Sequence, residues 1–435
     1  MTATADHAVP SAGSREGRTV LAASLIGTTI EWYDFFLFAT AAGIVFPQLF
    51  YGNGDPTVAT LLSFATFAIG FVARPIGGLI FGHIGDRVGR RSTLIVTMAL
   101  TGLSTAAIGL LPTYAAIGVA APILLVVLRV IQGIAIGGEW GGAVLMAVEY
   151  APPGKRGVYG ATPQIGLGLG LALGTGAFAL LGAVMDDQAF IDYGWRIAFV
   201  ASIVLVVIGF IVRLAVLETP AFRRLQEAAE VSRVPAVDVV RDPESRRNLG
   251  FGLLARWAEG ASFNTWGVFV LTYTVSTLKL PRTEMLVAVT VAAVVSAFVV
   301  LLAGFWGDRI GRGRVFAIGC AILAVGVFPA FALLGLGSTV VVGLVLIVML
   351  GVSYGLTSGA ESTLFAEIFP TRTRYTGMSL AFQGGGIYAS GLTPLILTSL
   401  LALGGGAPWY AAGYLFVAAL VSIWAALRAR PLEHL

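Results

Sequence analysis

The sequence predicts an all-α polytopic membrane protein, with twelve transmembrane helices in two pseudo-symmetric six-helix bundles. Three observations carry this prediction. Of the 435 residues, 57% are hydrophobic and 11% are charged, whereas soluble globular domains carry about 25% charged residues. The mean hydropathy is +0.88, apolar stretches of spanning length recur along the chain, and two motifs occur once in each half. We therefore expect a protein of the lipid bilayer that is not an enzyme and does not bind nucleic acid.

The spans follow from the length of the apolar stretches. A helix needs about 20 residues to cross a hydrocarbon core of about 30 Å. We predict twelve spans, at about 20–50, 57–82, 92–111, 117–149, 157–184, 194–216, 248–277, 284–306, 314–336, 339–368, 376–401 and 408–428. The predicted units are an N-terminal tail 1–19, a bundle 20–217, a central loop 218–247, a second bundle 248–428 and a C-terminal tail 429–435.

The distribution of Lys and Arg predicts the orientation. Twenty of the 27 basic residues fall in the two tails and in alternate loops, the central loop included, whereas the loops on the other side carry only Lys279 and Arg282. Cytoplasmic loops carry the excess of Lys and Arg in membrane proteins. We therefore expect both termini and the central loop to be cytoplasmic, and an even number of spans agrees because it places both termini on the same side.

The two halves of the sequence repeat each other. GHIGDRVGRR begins at Gly82 and GFWGDRIGRG begins at Gly304, 222 residues later. EYAPPGKRGVYG at Glu149 is echoed by EIFPTRTRYTG at Glu367, at an offset of 218. Such parallel repeats are typical of transporters whose substrate site lies near the membrane midplane, between the halves.

These features resemble the major facilitator superfamily, whose fold has twelve spans in two such bundles. The motif GHIGDRVGRR after span two is characteristic of it. EWYDF in span one, FVARPIGG in span two, RVIQGIAIGGEWGGA from Arg129 and ETPAF after span six resemble the metabolite:H+ symporter family. The N-terminal half is most similar to its shikimate-transporter branch. The resemblance implies transport of a small organic acid, proline or betaine, and it does not name the substrate.

The loop motifs are candidate gates. Their bases can simply anchor the loops on one side, but an acid at a helix end can also bind a neighbouring helix N-terminus and an arginine, and so hold one side shut. The resemblance supports this role for the first copy, and symmetry extends it to the second, where Gly313 replaces the last base and predicts a weaker latch. The candidates are Asp86, Arg87, Arg90, Glu149, Arg156, Asp308, Arg312, Glu367 and Arg374.

Charged residues inside the spans are candidates for coupling and binding, because a charge at bilayer depth needs a cavity or a partner. Glu31 and Asp34 share one face of span one, and Arg129, Gln132 and Glu139 share one face of span four. We predict Glu31, Asp34 and Glu139 as proton carriers, and Arg129 as the partner of the span-one acids or as an anion-binding group. Helix packing through a buried ion pair is the alternative.

Other polar residues within the spans are candidates for substrate binding. Arg74 lies in span two, and Arg256 and Glu259 lie in span seven, where they could simply pair with each other. Polar residues at such positions also join helices, which remains the alternative. The full set of binding candidates is Arg129, Gln132, Arg74, Arg256, Glu259, Tyr354, Ser358, Glu361, Gln164 and Gln383.

A glycine-rich string in span five is not a nucleotide loop. QIGLGLGLALGTG lies within an apolar span, whereas a dinucleotide loop follows a strand. Gly166, Gly170 and Gly174, spaced by four, predict close helix packing instead. We see no metal site and no P-loop, so we expect no cofactor and no ATP-driven pump.

We therefore predict proton-coupled symport of a small organic metabolite by alternating access, with a carboxylate such as shikimate, a keto-acid or a di- or tricarboxylate as the substrate. One alternative is a proline/betaine symporter, which the short C-terminal tail disfavours. A second is a drug/H+ antiporter, which the departure from GPxxGG in span five disfavours. A third is a channel or a non-transporting sensor. We expect the small molecule, H+ and the lipid bilayer as partners, function as a monomer, and a location in a bacterial inner membrane.

Overall fold

The computed structural model describes residues 15–52, 54–88, 90–137, 144, 147–148, 151–152, 154–217, 239–370 and 373–429, and only the backbone of 15–24, 79, 82–88, 90–94 and 212–217. The described residues are helical almost throughout and contain no strand. Six helices form the N-terminal half: α1 Arg15–Ile44, α2 Pro56–Val88, α3 Arg90–Leu110, α4 Ala120–Ile136, α5 Arg156–Val184 and α6 Trp195–Leu217.

Six further helices form the C-terminal half, and three of them contain π-helical turns. They are α7 from Pro243–Asn264 through the π turns Thr265–Phe269 and Tyr273–Thr277, α8 Arg282–Ile310, α9 Arg312–Leu334, α10 Thr339–Glu367, α11 Arg374–Leu403 and α12 Trp409–Arg428. The π turn of α10 is Ile347–Tyr354, and that of α11 is Ile387–Gly391. Such turns are often found at functional sites.

Eight helices in the described ranges are long and apolar enough to cross a membrane, and two shorter apolar helices accompany them. Large apolar side chains on the outer surface are exposed, for example Leu103 at 65%, Val325 at 79% and Leu403 at 77%. A helix can face hydrocarbon in this way because its backbone polar groups are satisfied internally. Together with α1 and α7, these ten helices make up the twelve helices of a twelve-span membrane protein.

Helix ends carry few side-chain caps, and Asp55 before α2 is one of them. Its carboxylate accepts hydrogen bonds from the amides of Thr57 at 2.6 Å and Val58 at 3.3 Å. These bonds favour the charged form and lower the pKa of Asp55 below its ordinary value. The cap fixes where α2 starts, and α2 carries Arg74 towards the centre of the protein.

Glycines bring helices into close contact where the charged residues of the N-terminal half lie. Side-chain atoms added at Gly166, Gly170 and Gly174 of α5 would meet Thr28, Trp32 and the Phe36–Leu37 backbone of α1, which confirms the predicted packing role of these glycines. An added Cβ at Gly70 of α2 would lie 2.5 Å from Nε of Arg129. The glycine leaves the room that the Arg129 side chain fills.

The two halves meet along α5 and α8. Thr175 and Thr290 lie 2.8 Å apart through their hydroxyl groups in the middle of this contact. We call the end with Arg156, Arg312, Arg374 and Arg428 the arginine-rich end, and the end with Lys279 and Arg282 the opposite end. Contacts join the two halves along α5 and α8 at both ends.

Candidate functional site

Arg129 of α4 is enclosed by aromatic rings inside the N-terminal half. Its guanidinium carbon lies 4.7, 4.2 and 5.1 Å from the ring centres of Phe35, Phe38 and Phe67. The side chain is 1% exposed. It donates hydrogen bonds to Oε1 of Gln132 at 2.5 Å and to the Phe67 carbonyl at 3.5 Å. The π faces of the rings replace part of the hydration that burial removes.

A chain of hydrogen bonds leads from Arg129 towards Asp34. Gln132 receives the Arg129 bond and donates from Nε2 to the Thr105 hydroxyl at 3.0 Å. The Thr105 hydroxyl in turn interacts with the carboxyl of Asp34, which is 1% exposed and whose Oδ1 has no hydrogen-bond partner. Among the described residues Arg129 forms no ion pair with Glu31 or Asp34. The prediction that Arg129 pairs directly with these acids is therefore wrong, because Gln132 takes the guanidinium.

Glu31 and Asp34 line a cleft inside the N-terminal half rather than between the halves. About 350 Å³ of space that no atom fills, part of it open to the surroundings, lies along this cleft. Helices α1, α3, α4 and α6 form its walls, with Gly27, Ile30, Glu31, Asp34, Met98, Thr101, Ile136 and Val206. Two titratable groups on one helix face therefore reach one small cavity, as the spacing of three residues predicts.

Arg74 of α2 is a buried charge of the N-terminal half that acts electrostatically across the interface. It is 2% exposed, and its guanidinium carbon lies 5.4, 4.6 and 4.4 Å from the ring centres of Trp32, Phe35 and Phe71. Its Nε and Nη2 have no hydrogen-bond partner. It interacts electrostatically with Glu31 and, across the interface, with Arg256. A buried guanidinium with two unused donors can bind an anion.

Arg256 of α7 forms the corresponding cluster in the C-terminal half. It pairs with Glu259, one helical turn away, and through Nη1 with Glu361 of α10 at 3.2 Å. Its guanidinium carbon lies 4.0 Å from the ring centre of Phe382. Arg256 and Glu259 thus form the ion pair that the sequence left open as an alternative, Glu361 joins it, and the predicted binding roles of these residues stay predictions.

Two of the remaining binding candidates, Tyr354 and Ser358, lie beside this cluster. Tyr354 and Ser358, both fully buried in α10, interact through their hydroxyl groups, and Arg256 and Glu361 act electrostatically on Tyr354. Gln383 is half-buried in α11, next to Phe382. Gln164 is fully buried in α5. The structure thus places Tyr354 and Ser358 beside the Arg256 cluster.

The second copy of the gate motif joins the two halves at the arginine-rich end. Asp308 of α8 accepts hydrogen bonds from the amides of Gly157 at 2.7 Å and Val158 at 3.3 Å, in the first turn of α5. Arg312 lies 2.9 Å from Asp308 and contacts Glu367 of α10. An anion at a helix N-terminus is stabilised by unpaired amides and by the helix dipole.

The structure describes the side chains of only some of the other gate candidates. The Arg156 carbonyl accepts a hydrogen bond from Thr363 at 3.4 Å, and Arg374 is buried, with its Nε donating to the Phe369 carbonyl at 3.3 Å. For Asp86, Arg87 and Arg90 only the backbone is described. Glu139 and Glu149 lie outside the described residues. The roles of the first copy stay predictions.

The structure adds functional candidates that the sequence did not reveal. Thr105 connects Gln132 with Asp34, and Phe35 stacks on both arginines of the N-terminal half. At the opposite end Arg282 of α8 pairs with Asp187, just beyond α5, at 2.5 Å. Threonine and phenylalanine are common in apolar spans, so their occurrence alone does not indicate a function. The sequence could have indicated Thr105 and Phe35 only through their spacing along helix faces that carry charge.

Within the described ranges, no group of three or more His, Cys, Asp or Glu residues could hold a metal ion. The charged groups of the site are instead arginines and carboxylates, arranged on both sides of the interface between the halves. This arrangement can bind an anion and can exchange protons through its carboxylates.

Two family models match the chain. The Sugar (and other) transporter model covers residues 19–242, and the Major Facilitator Superfamily model covers residues 252–434. A D-xylose-proton symporter of known crystal structure has the same fold, with a TM-score of 0.72 at 19% identity over 95% of this chain and 98% of that one.

Curated relatives cover most of the chain. The inner membrane metabolite transport protein YhjE of Escherichia coli is 42% identical over 90% of this chain and 90% of its own length. The shikimate transporter of Escherichia coli is 36% identical over 95% of this chain and 94% of its own. A proline/betaine transporter of the same organism is 32% identical over 88% of this chain and 78% of its own.

Proposed function

The chain belongs to the major facilitator superfamily of membrane transporters, and from that premise we propose that it takes up a small organic carboxylate together with protons. Uptake occurs by alternating access, with the two halves rocking around a site at their interface. Arg74 and Arg256 bind the carboxylate from opposite halves. The protein acts as a monomer in a bacterial inner membrane, with both termini in the cytoplasm.

The observation that carries this proposal is the pair of buried arginines from opposite halves. Arg74 and Arg256 interact electrostatically, and Arg74 keeps Nε and Nη2 without a hydrogen-bond partner. Two like charges repel each other in a low-dielectric interior, and an anion between them removes that repulsion. A carboxylate fits because the guanidinium fork matches its two oxygens.

Proton coupling is supported by the carboxylates on both sides of this interface. Asp34 is fully buried with an unpartnered oxygen, and Glu31 lines the same cleft. A carboxylate in such a place is stabilised by a proton. Asp34 is the proton carrier that the geometry of the N-terminal half favours, with Glu31 beside it, and Glu139 remains a sequence-based candidate.

Transport by purified protein in proteoliposomes tests the proposal. Labelled shikimate and 2-oxoglutarate are offered with an inward proton gradient, without a gradient, and with a protonophore. We expect the gradient to drive accumulation and the protonophore to abolish it. Replacing Arg74 by Gln removes charged hydrogen bonds worth about 1.5–3 kcal/mol, so affinity falls roughly 10–100-fold. If no organic acid accumulates under the gradient, the proposal is wrong.

A compatible solute such as betaine is the second candidate, and the excess of carboxylates over arginines at Arg256 favours it. Betaine carries both a carboxylate and a quaternary ammonium group, which aromatic rings bind. Phe382 stacks on Arg256, and the ring of Trp257, the next residue along α7, packs against Tyr388 and Tyr414. Labelled proline and betaine in the same assay distinguish this candidate from the first.

A further inference from the structure

Arg256 holds two carboxylates at once, and all three side chains are almost completely buried. Arg256 is 3% exposed, Glu259 1% and Glu361 0%. Nη1 of Arg256 contacts Glu259 and lies 3.2 and 3.5 Å from the two oxygens of Glu361. One guanidinium therefore neutralises one of two buried acids, and the second acid depends on charges further away.

Arg74 of the N-terminal half interacts electrostatically with Arg256 across the interface. With Arg74, the four fully buried charges of the interface sum to zero while both acids are ionised. Glu31, which is half-buried, belongs to the N-terminal half. Whatever the net charge of the buried groups is before binding, one substrate carboxylate makes it more negative by one unit. A buried net charge is costly, so the added anion needs an added proton.

Glu361 is better placed than Glu259 to accept that proton. Glu259 lies three residues from Arg256 on α7, so the two move together as one rigid unit. Glu361 lies on α10, and its contact with Arg256 joins two different helices. Breaking that contact frees an edge of the guanidinium without distorting α7. Gly385 of α11 leaves room for the stem of the Arg256 side chain, because an added Cβ there would lie 2.6 Å from Cγ of Arg256.

The groups that surround Glu361 suit a carboxyl group that changes protonation state. Arg256 and Glu259 face it from α7, Cys320 from α9, and Tyr354 from its own helix, where Ser358 also lies. Tyr388 of α11 acts electrostatically on Arg256. The hydroxyl groups of Tyr354 and Ser358 interact with each other and have no other hydrogen-bond partner among the described residues. They can donate to Glu361 when Arg256 leaves it.

We propose that Arg256 exchanges partners during transport, so that the substrate carboxylate replaces Glu361 on the guanidinium while Glu361 takes up a proton. The ion pair between Arg256 and Glu361 breaks, a new ion pair between Arg256 and the substrate forms, and the proton comes from water on the side to which the site is open. After reorientation the substrate leaves, Glu361 returns the proton to water, and the original pair forms again. This inference rests on the proposed function and adds Glu361 of the C-terminal half to its proton carriers, as the carboxyl group whose protonation is linked to substrate binding.

The first test measures how shikimate affinity depends on pH. If binding takes up one proton, the affinity of wild-type protein for shikimate falls about tenfold for each unit by which the pH rises, in the range where Glu361 is ionised in the free protein. We expect Glu361→Gln to bind shikimate with no pH dependence and Glu361→Asp, which can still be protonated, to retain it. Glu284→Gln is the matched control, because Glu284 is an exposed carboxylate at the opposite end of α8. The proposal is wrong if the shikimate affinity of Glu361→Gln depends on pH as steeply as that of wild type. It is also wrong if Asp34→Asn abolishes this pH dependence while Glu361→Gln keeps it.

The second test needs no solute and therefore separates this inference from the proposed function. Infrared difference spectra of reconstituted protein are recorded on lowering the pH, and the band of a protonated carboxylic acid is followed. We expect Glu361→Gln to lack one such band that wild-type protein and Glu284→Gln both show. Spectra in which Glu361→Gln matches wild type overturn the inference. If shikimate and 2-oxoglutarate fail to bind while that band depends on Glu361, the proposed substrate class is wrong and Glu361 still binds a proton.

Discussion

Arg74 and Arg129, the fully buried arginines of the N-terminal half in the described ranges, both pack against aromatic rings, and Arg74 also interacts electrostatically with Glu31. Phe35 contacts both Arg74 and Arg129, at 4.6 and 4.7 Å from the guanidinium carbons to its ring centre. Desolvated cation–π contacts contribute about 2 kcal/mol or more each. The rings make these charges tolerable in the membrane, and they leave guanidinium nitrogens of Arg74 for a ligand.

Arg129→Lys therefore tests whether the shape of the guanidinium matters or only its charge. An ammonium group cannot stack over several rings and reach Gln132 in the same way. We expect the thermal midpoint of purified protein to fall and counterflow of labelled substrate to drop at least about tenfold, as loss of roughly 1.4 kcal/mol or more implies. Arg314→Lys is the control, since Arg314 is exposed at the arginine-rich end. Equal behaviour of the two variants would show that charge alone suffices.

Asp55 allows a prediction about pH at the start of α2. Hydrogen bonds from Thr57 and Val58 lower the pKa of its carboxyl, so the folded state favours the ionised form. Its contribution to stability is therefore present above the ordinary pKa of an aspartate and is lost as the pH falls through the lowered value. We expect the difference in thermal midpoint between wild type and Asp55→Ala to shrink on acidification. A difference that stays constant down to low pH contradicts this account.

The partners of single residues were the part of the site that the sequence predicted least well. Helical spacing placed Glu31 and Asp34 on one face and Arg129 and Gln132 on another, and the structure agrees. It could not reveal that Gln132 and Thr105 separate Arg129 from Asp34. Periodicity gives the face of a helix, whereas the contact depends on how neighbouring helices are rotated.

Helices were predicted more accurately than contacts, because the length and hydrophobicity of a span are local properties. The prediction of 157–184 became α5 Arg156–Val184, and 408–428 became α12 Trp409–Arg428. The predicted first span, 20–50, is instead divided into α1 Arg15–Ile44 and a short helix Phe46–Phe50. The π turns, such as Ile347–Tyr354, were not predicted, since they arise from packing that no local pattern records.

The crossing of α2 and α4 gives a prediction at the level of whole helices. An added Cβ at Gly77 would collide with the carbonyl oxygen of Ile134, a backbone atom that cannot rotate away. We expect Gly77→Ala to lower stability by about 1–3 kcal/mol, the range for overpacking, and to displace Arg74 and Arg129 together. Thermal midpoints of purified protein measure the effect.

Gly343→Ala is the matched control for this crossing. Gly343 lies in α10, and an added Cβ there meets nothing within 4 Å. Alanine favours a helix over glycine by roughly 0.5–1 kcal/mol, so this variant should be as stable as wild type or more stable. A loss of stability in both variants would mean that the α2–α4 crossing is not the cause.

At the scale of the whole molecule, the same two helices join the halves at both ends. Asp308 binds the start of α5 at the arginine-rich end, and Arg282 binds Asp187, beyond the end of α5, at the opposite end. Alternating access requires one end to open while the other stays closed. The two contacts differ in environment, because Asp308 is 7% exposed and Asp187 is 91% exposed. Exposed ion pairs contribute about 0–1 kcal/mol, so the arginine-rich end is held more tightly.

Asp308→Asn should therefore release the arginine-rich end of the closed form. The uncharged amide loses charge-assisted bonds to Gly157, Val158 and Arg312 that contribute about 1.5–3 kcal/mol, which shifts the ratio of open to closed protein roughly 10–100-fold. Spin labels at Lys155→Cys and Arg314→Cys, in a Cys320→Ser background, report the distance across this end. We expect a longer distance and slower transport with normal membrane insertion, whereas Glu284→Gln should change neither. Distances and turnover that match wild type in Asp308→Asn would show that the carboxylate caps α5 without acting as a latch.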